Sequence, residues 1–241
     1  MKTPSRDRLA LALDNVSSLS ALTHLIKATA PSIGVFKIGL ELFTRFGPPV
    51  CDVVREAERK IFLDLKLHDI PNTVGKAVLS ACDLKVDYLT IHTQGGISMM
   101  RAAAEAADSR RKKGGVLPKI IGVTLLTSID ADCLRTELLA TAPPAEYARH
   151  LASLAVRAGL DGIVCSAADL PSVKPLLPRG FEIVTPGIRP AGSAVNDQKR
   201  IATPEEAIKN GATLLVVGRA VTEAGDPAAA AAALLAGIAR V

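Results

Sequence analysis

The sequence predicts an α/β chain folded as a single (β/α)8 barrel of the TIM type, and three observations lead there. Eight short apolar runs of β type recur along 241 residues, and helical patterns fill the intervals between them. The spacing, 241 residues over eight units, allows about 30 residues each, enough for a strand and a returning helix. An open doubly wound sheet usually needs fewer units, and no G-x-G-x-x-G follows the first run. No linker-like shift in composition divides the chain, so residues 1–241 read as one domain.

In chain order the expected strands are Leu9–Leu13, Val35–Ile38, Ile61–Leu65, Tyr88–Ile91, Ile120–Leu125, Gly162–Cys165, Glu182–Thr185 and Thr213–Val217. Helices are expected over Leu19–Ala28, Val50–Arg59, Val74–Leu84, Ser98–Lys113, Ala145–Ala158, Pro204–Asn210 and Pro227–Ala239. The connection near Asp169–Leu177 is short and broken by Pro171 and Pro175. Six alanines at Ala228–Ala233 follow Asp226-Pro227, a helix start, so they read as a terminal helix and not a tail. Pro186–Arg200 is long and polar, carries Gly187, Pro190 and Gly192, and follows the seventh strand, as an active-site lid would.

Composition narrows the function classes. At this length about 70% of the chain's surface can be buried, so neither disulfide nor metal staples are required. Hydrophobic residues make up 49% and charged residues 22%, which excludes wholesale disorder. With no Trp, two Tyr and five Phe, the chain lacks the stacking platforms of a single-strand nucleic-acid binder. A net charge of +5 permits an anionic partner without demanding one, and Arg110-Arg111-Lys112-Lys113 reads as a solvated helix C-terminus. Cys51, Cys82, Cys133 and Cys165 lie far apart, with no C-x-x-C pair and no zinc spacing, as suits reduced thiols. Neither a signal h-region nor an apolar stretch of membrane-spanning length is present, so a cytoplasmic protein is expected, without nucleic-acid or membrane partners.

In such a barrel, chemistry gathers at the C-terminal ends of the strands. The first strand ends at Asp14, the second contains Lys37, and the third runs Phe62-Leu63-Asp64-Leu65-Lys66-Leu67-His68-Asp69. Period-2 alternation puts Phe62, Asp64 and Lys66 on the interior face and Leu63, Leu65 and Leu67 towards the helices. Opposite charges facing a barrel interior are costly unless paired. A structural ion pair is the bland reading of Asp64 and Lys66. With Asp14, Lys37 and Asp69 converging on the same mouth, a fixed field presenting a proton donor is the better one. His92, ending the fourth strand, is expected as a hydrogen-bonded histidine under the site; His68 shares the parity of Asp64, and His24 and His150 fall on helices.

These residues resemble the orotidine 5'-monophosphate decarboxylase family over essentially the whole chain. The anchor is Asp64-x-Lys66-x-x-Asp69-Ile70-x-x-Thr73, standing as DLKLHDIPNT. Asp14 in LALD, Lys37 in FKIG, Thr127 in LLTS, TPGIRP from Thr185 to Pro190, Asp197-Gln198-x-Arg200 and Gly218-Arg219 in VVGRA support it in the same order. The resemblance implies decarboxylation of orotidine 5'-monophosphate to UMP by a (β/α)8 homodimer with shared active sites and no metal or organic cofactor. It implies Lys66 as proton donor to C6, flanked by Asp64 and Lys37, with Asp69 and Thr73 entering from the partner subunit. Asp14 and Lys37 would contact the ribose; Thr127 belongs with the substrate contacts, and Arg189, Gln198, Gly218 and Arg219 match the phosphate end.

Two rivals share some of these features. Sugar-phosphate decarboxylases and aldolases of the same barrel group, such as 3-keto-L-gulonate 6-phosphate decarboxylase, keep D-x-K-x-x-D but use a strand-two Glu to hold Mg²⁺. Here Lys37 fills that place, a cation being a poor magnesium ligand, and Glu41 lies beyond the strand at a helix start. A non-enzymatic phosphate-binding barrel would have no reason to keep Lys66 among its carboxylates.

Overall fold

The computed structural model describes residues 5–111, 118–189 and 202–239. Eight parallel strands close in sequence order into one barrel: β1 (Leu9–Ala12), β2 (Val35–Gly39), β3 (Lys60–Leu67), β4 (Tyr88–His92), β5 (Lys119–Val123), β6 (Gly162–Val164), β7 (Glu182–Thr185) and β8 (Leu214–Val217). The helices are α1 (Leu19–Thr29), α2 (Leu40–Phe46), α3 (Pro49–Glu56), α4 (Pro71–Asp83), α5 (Gly96–Arg111), α6 (Ala131–Thr136), α7 (Pro144–Ala158), α8 (Leu170–Val173), α9 (Pro204–Lys209), α10 (Arg219–Thr222) and α11 (Pro227–Ile238).

The strands read as continuous apolar runs because both faces are covered. Ala10, Ala12, Val35, Phe62, Tyr88, Ile121, Val184, Leu214 and Val216 fill the barrel interior. Their alternate neighbours, among them Leu9, Leu11, Phe36, Ile38, Leu63, Leu89, Ile120, Ile163 and Leu215, pack outward with the helices. The helices start where local chemistry permits. Ser18 caps α1 by accepting the Ala21 N–H at 3.1 Å, and Thr203 with Glu206 forms a reciprocal capping box on α9. Proline opens α4, α7 and α11, where its missing N–H costs nothing.

The terminal alanine helix is present, capped by Asp226, and the broken sixth connection is α8 followed by a 3-10 turn. Three short helices, α2, α6 and the four-residue α10, depart from the expected pattern. α2 leaves β2 directly at Gly39 and stops at Gly47, whose φ of +65° ends the turn before Pro48; its seven residues are too few to set a period. α6, six residues capped by Asp130, is shorter still. β5 ends at Val123, because Leu125 turns away to pack with Leu134 and Ala148. Lys112, Lys113 and most of the expected lid, from Pro190 through Asp197, Gln198 and Arg200, lie outside the described residues.

Candidate active site

β3 positions the centre of the site. Its pairing with β4 runs Phe62↔Tyr88 and Leu63↔Leu89, then shifts register before Leu67↔Ile91. Within that bulge Lys66 sits at φ +49°, a left-handed conformation that a residue with a Cβ adopts at a cost. The expected parity holds nonetheless: Phe62 is inside the barrel, Leu63 packs with the outer core, and Asp64 is buried.

Around Asp64 the charges alternate. Lys66 Nζ donates to Asp64 Oδ2 at 2.8 Å, Lys37 Nζ lies 3.4 Å from the same oxygen, and Lys37 Nζ is 3.7 Å from Asp14 Oδ1. Asp14, Lys37, Asp64 and Lys66 thus form one line of carboxylate, ammonium, carboxylate and ammonium. Gly39 makes room for it, since a Cβ there would come 3.0 Å from Asp14 Oδ1 and 3.2 Å from Lys37 Nζ. Burial pushes the Asp64 carboxyl up, but Lys37, Lys66 and the hydrogen bonds from Lys66 and Thr90 outweigh it and hold Asp64 below the usual range. Asp64 is therefore an anion at neutral pH.

This line borders a cavity of about 420 Å³ at the C-terminal mouth of the barrel. Its lining brings together Asp14, Lys37, Asp64 and Lys66 with Thr127, Arg189, Gly218 and Arg219, eight of the residues singled out from sequence. Apolar walls come from Phe62, Val164, Val184 and Val216. Arg219 opens α10 directly after β8, the usual anion end of such barrels. Asp69 and Thr73 do not line the cavity: both are exposed, between the end of β3 and the first turn of α4, beside Ile70, which is 66% exposed. Gln198 lies outside the described residues.

The histidines fall into two kinds. His24 and His150 lie exposed on α1 and α7. His92 does not meet its expectation, because its buried Nδ1 has no hydrogen-bond partner among the described residues. Its ring instead lies 5.4 Å from that of His68, and burial, with His68 and Lys66 adding, pushes its pKa down, so the ring is neutral at pH 7. Thr90 is the site residue the sequence reading passed over. The available signal was a hydroxyl residue in YLTIH, on the same parity as interior Tyr88. Glu41 pairs with Arg45 at 2.7 Å on α2 and takes no part in the site. No group of three or more His, Cys, Asp or Glu among the described residues is arranged to hold a metal, and a cation beside Asp64 would meet two ammonium groups.

Comparison with known proteins points to one family. The model of the orotidine 5'-phosphate decarboxylase / HUMPS family matches residues 7–234. The orotidine 5'-phosphate decarboxylase of Moorella thermoacetica is 44% identical over 238 residues, covering 97% of this chain and 93% of its own. That of Thermobifida fusca is 45% identical over 229 residues, covering 95% and 94%. The crystal structure of orotidine 5'-phosphate decarboxylase from Lactobacillus acidophilus superposes with a TM-score of 0.84 at 35% identity, covering 96% of this chain and 99% of that one. With the family model over nearly its whole length and such relatives end to end, the chain belongs to the orotidine 5'-phosphate decarboxylase / HUMPS family.

Proposed function

We infer that this chain decarboxylates orotidine 5'-monophosphate to UMP in pyrimidine biosynthesis, as the enzyme of EC 4.1.1.23. The observation that carries the chemistry is the Asp14–Lys37–Asp64–Lys66 line on a cavity that also holds Arg189, Gly218 and Arg219. Loss of CO₂ from C6 leaves an electron pair in the plane of the pyrimidine, where the ring's π system cannot absorb it. The protein must therefore meet that charge electrostatically. An ammonium within a few ångströms contributes several kcal/mol, about 4 kcal/mol at 4 Å for an effective dielectric near 20. Lys66 supplies it, then delivers a proton to C6, becoming a neutral amine that solvent reprotonates. Asp64, kept ionised, places like charge beside the substrate carboxylate, and departure of CO₂ relieves it. Lys37 completes the field between Asp64 and Asp14, and with Asp14 takes the ribose hydroxyls. Thr127 joins the substrate contacts. Arg189, Gln198, Gly218 and Arg219 grip the phosphate, whose binding energy holds the ring against Lys66.

The same reading makes the active enzyme a cytoplasmic homodimer, residues 1–241 of each subunit forming one barrel domain. Asp69 and Thr73 then serve the partner's cavity. Supporting this, both are exposed and off their own cavity, next to exposed Ile70. No helix among the described residues is long and apolar enough to cross a membrane.

Incubation with orotidine 5'-monophosphate plus EDTA tests the function directly. The pyrimidine absorbance should change to that of UMP with one CO₂ released per turnover. An unchanged spectrum would overturn the assignment, and turnover of a sugar phosphate that stops on chelation would instead favour the metal-dependent branch.

A further inference from the structure

We propose that Thr90 is a positioning residue for the decarboxylation, its hydroxyl holding Asp64 and the backbone of Lys66 in one rigid unit. The proposal rests on the function inferred above. Thr90 is fully buried on β4, and its Oγ1 has two partners: it donates to Asp64 Oδ1 at 2.8 Å and accepts the Lys66 N–H at 2.8 Å. Both partners belong to the reacting line. The bond to Asp64 leaves Oδ2 as the oxygen that meets Lys66 Nζ at 2.8 Å and Lys37 Nζ at 3.4 Å. The bond from Lys66 N–H compensates for the place where β3 leaves the regular ladder.

That second bond explains an otherwise costly backbone. Between Leu63 and Leu67 the β3–β4 register shifts, and Lys66 stands at φ +49°. In this bulge the Lys66 amide turns to a β4 side chain in place of a ladder carbonyl. The hydroxyl thus satisfies a donor freed by the bulge, while the bulge sets the direction from which Lys66 leaves the strand. A hydroxyl is the smallest group that can donate to a carboxylate and accept from an amide at once, and valine, its near-isostere, can do neither.

The test compares Thr90→Val, Thr90→Ala and Thr90→Ser with wild type on orotidine 5'-monophosphate, alongside two measurements that need no substrate. In Thr90→Val, kcat should fall roughly 10- to 100-fold with KM within about threefold, the effect of losing buried hydrogen bonds to a charged group and an aligned donor. The acid limb of its pH profile should move to higher pH, because Asp64 loses a bond that favours its anion. Carboxyl ¹³C NMR should show the Asp64 midpoint raised, and hydrogen exchange at the Lys66 amide should be faster. Thr90→Ser should restore kcat to within about threefold and the acid limb to its place. Should Thr90→Val not fold, Thr90→Ala removes the hydroxyl without crowding and must show the same kcat loss and the same Asp64 shift. Hydroxyl-free variants with wild-type kcat and an unmoved Asp64 midpoint would overturn the proposal. So would a serine variant as impaired as valine, which would assign the loss to the methyl's packing. Wild type inactive on orotidine 5'-monophosphate would strike the functional reading alone, since the Asp64 midpoint and Lys66 exchange still decide the coupling.

Discussion

At the N-terminal end of the barrel, the residue before each of three even-numbered strands clamps the strand ahead of it. Asp87 donates its N–H to the Ile61 carbonyl at 2.9 Å and accepts the Ile61 N–H on its carboxylate at 2.8 Å. Asp161 does the same with Ile120, at 3.0 and 2.8 Å, and Thr213 does so with Ile183 through its hydroxyl, at 2.9 and 2.8 Å. In the fourth such place stands Gly34, where a Cβ would come 2.6 Å from Asp7. At the other end, Asp64 has no backbone donor among the described residues: it accepts from the Lys66 ammonium and the Thr90 hydroxyl and faces the Lys37 ammonium as an ion pair, while Lys66 leaves the strand in a left-handed conformation. Carboxylates at the floor complete a ladder; at the mouth they complete an electric field. The ladder stabilises wherever it occurs, whereas the field is useful only with a substrate in it, as expected where stability and catalysis occupy opposite faces of one barrel.

The largest contrast between the two ends should appear on removing a lysine from each. Lys66→Ala should cut turnover by at least about a thousandfold while leaving UMP binding largely intact, since the ammonium serves the carbanion and not the product. Lys119→Ala, which breaks a half-exposed pair with Glu182 at the floor, should leave kcat within about twofold and stability within about 1 kcal/mol. Residual turnover of Lys66→Ala within about tenfold of wild type, measured by absorbance, would erase the distinction.

The comparison can also be broken by asking whether a mouth is complete within one chain. Lys66→Ala and Asp69→Ala subunits should each be nearly inactive alone. Mixed equally under subunit exchange, half the dimers are hybrids, and one of the two sites in each hybrid has both residues intact. One site in two, in half the dimers, restores roughly a quarter of wild-type activity, by the exchange symmetry of a twofold dimer. No recovery, with exchange confirmed by mass labelling, would place Asp69 in its own chain's site or outside any.

Within the mouth, Arg219 should separate the anion end from the reacting end. Arg219→Ala should weaken nucleotide binding and slow the reaction of orotidine 5'-monophosphate by roughly 10- to 100-fold in kcat/KM, since remote binding energy contributes to the transition state. Orotidine without its phosphate should react poorly with wild type and little worse with the variant. A large further loss on that truncated substrate would move Arg219 to the pyrimidine end or to the fold.

The floor and mouth differ too in how far the sequence disclosed them. The eight strands were legible because both faces of each are covered, so the runs are apolar throughout and turns punctuate them. Asp64 and Lys66 were legible because two charges interrupt such a run at interior parity. Thr90 was not, since a threonine is an ordinary β-strand residue and its role depends on a bulge in the neighbouring strand that no local pattern encodes. The Nδ1 of His92, without a partner among the described residues, is likewise a matter of tertiary packing. The floor clamps escaped for a related reason: Asp87 and Asp161 look like loop residues and Thr213 like an ordinary strand start, and only the register of the closed barrel sets them opposite Ile61, Ile120 and Ile183. α2 and α6 are too short for a period to show.

The subtlest difference between the ends is in their acid titration. Asp64 is held below the ordinary aspartate range, its burial outweighed chiefly by Lys37 and Lys66. Asp87 is pushed above that range, because burial outweighs the Ile61 N–H and Lys60. The two carboxylates should therefore affect stability with opposite sign. For Asp64 the unfolded chain binds the proton more tightly, so its contribution is present above the unfolded pKa and is lost as pH falls through the folded one. For Asp87 the folded chain binds the proton more tightly, so stability declines as pH rises from the unfolded pKa through the folded one, and the cost is complete above that. Carboxyl ¹³C NMR should find the Asp64 midpoint below, and the Asp87 midpoint above, the ordinary aspartate range of the unfolded chain. Denaturant unfolding adds the energetic side. Asp87→Asn keeps an acceptor for Ile61 N–H and removes the buried charge, so its stability relative to wild type should improve from pH 3 to pH 7. Asp64→Asn strands Lys37 and Lys66 against each other, so its relative stability should worsen over the same range. Parallel trends in the two variants would mean that one electrostatic environment extends through the barrel from floor to mouth.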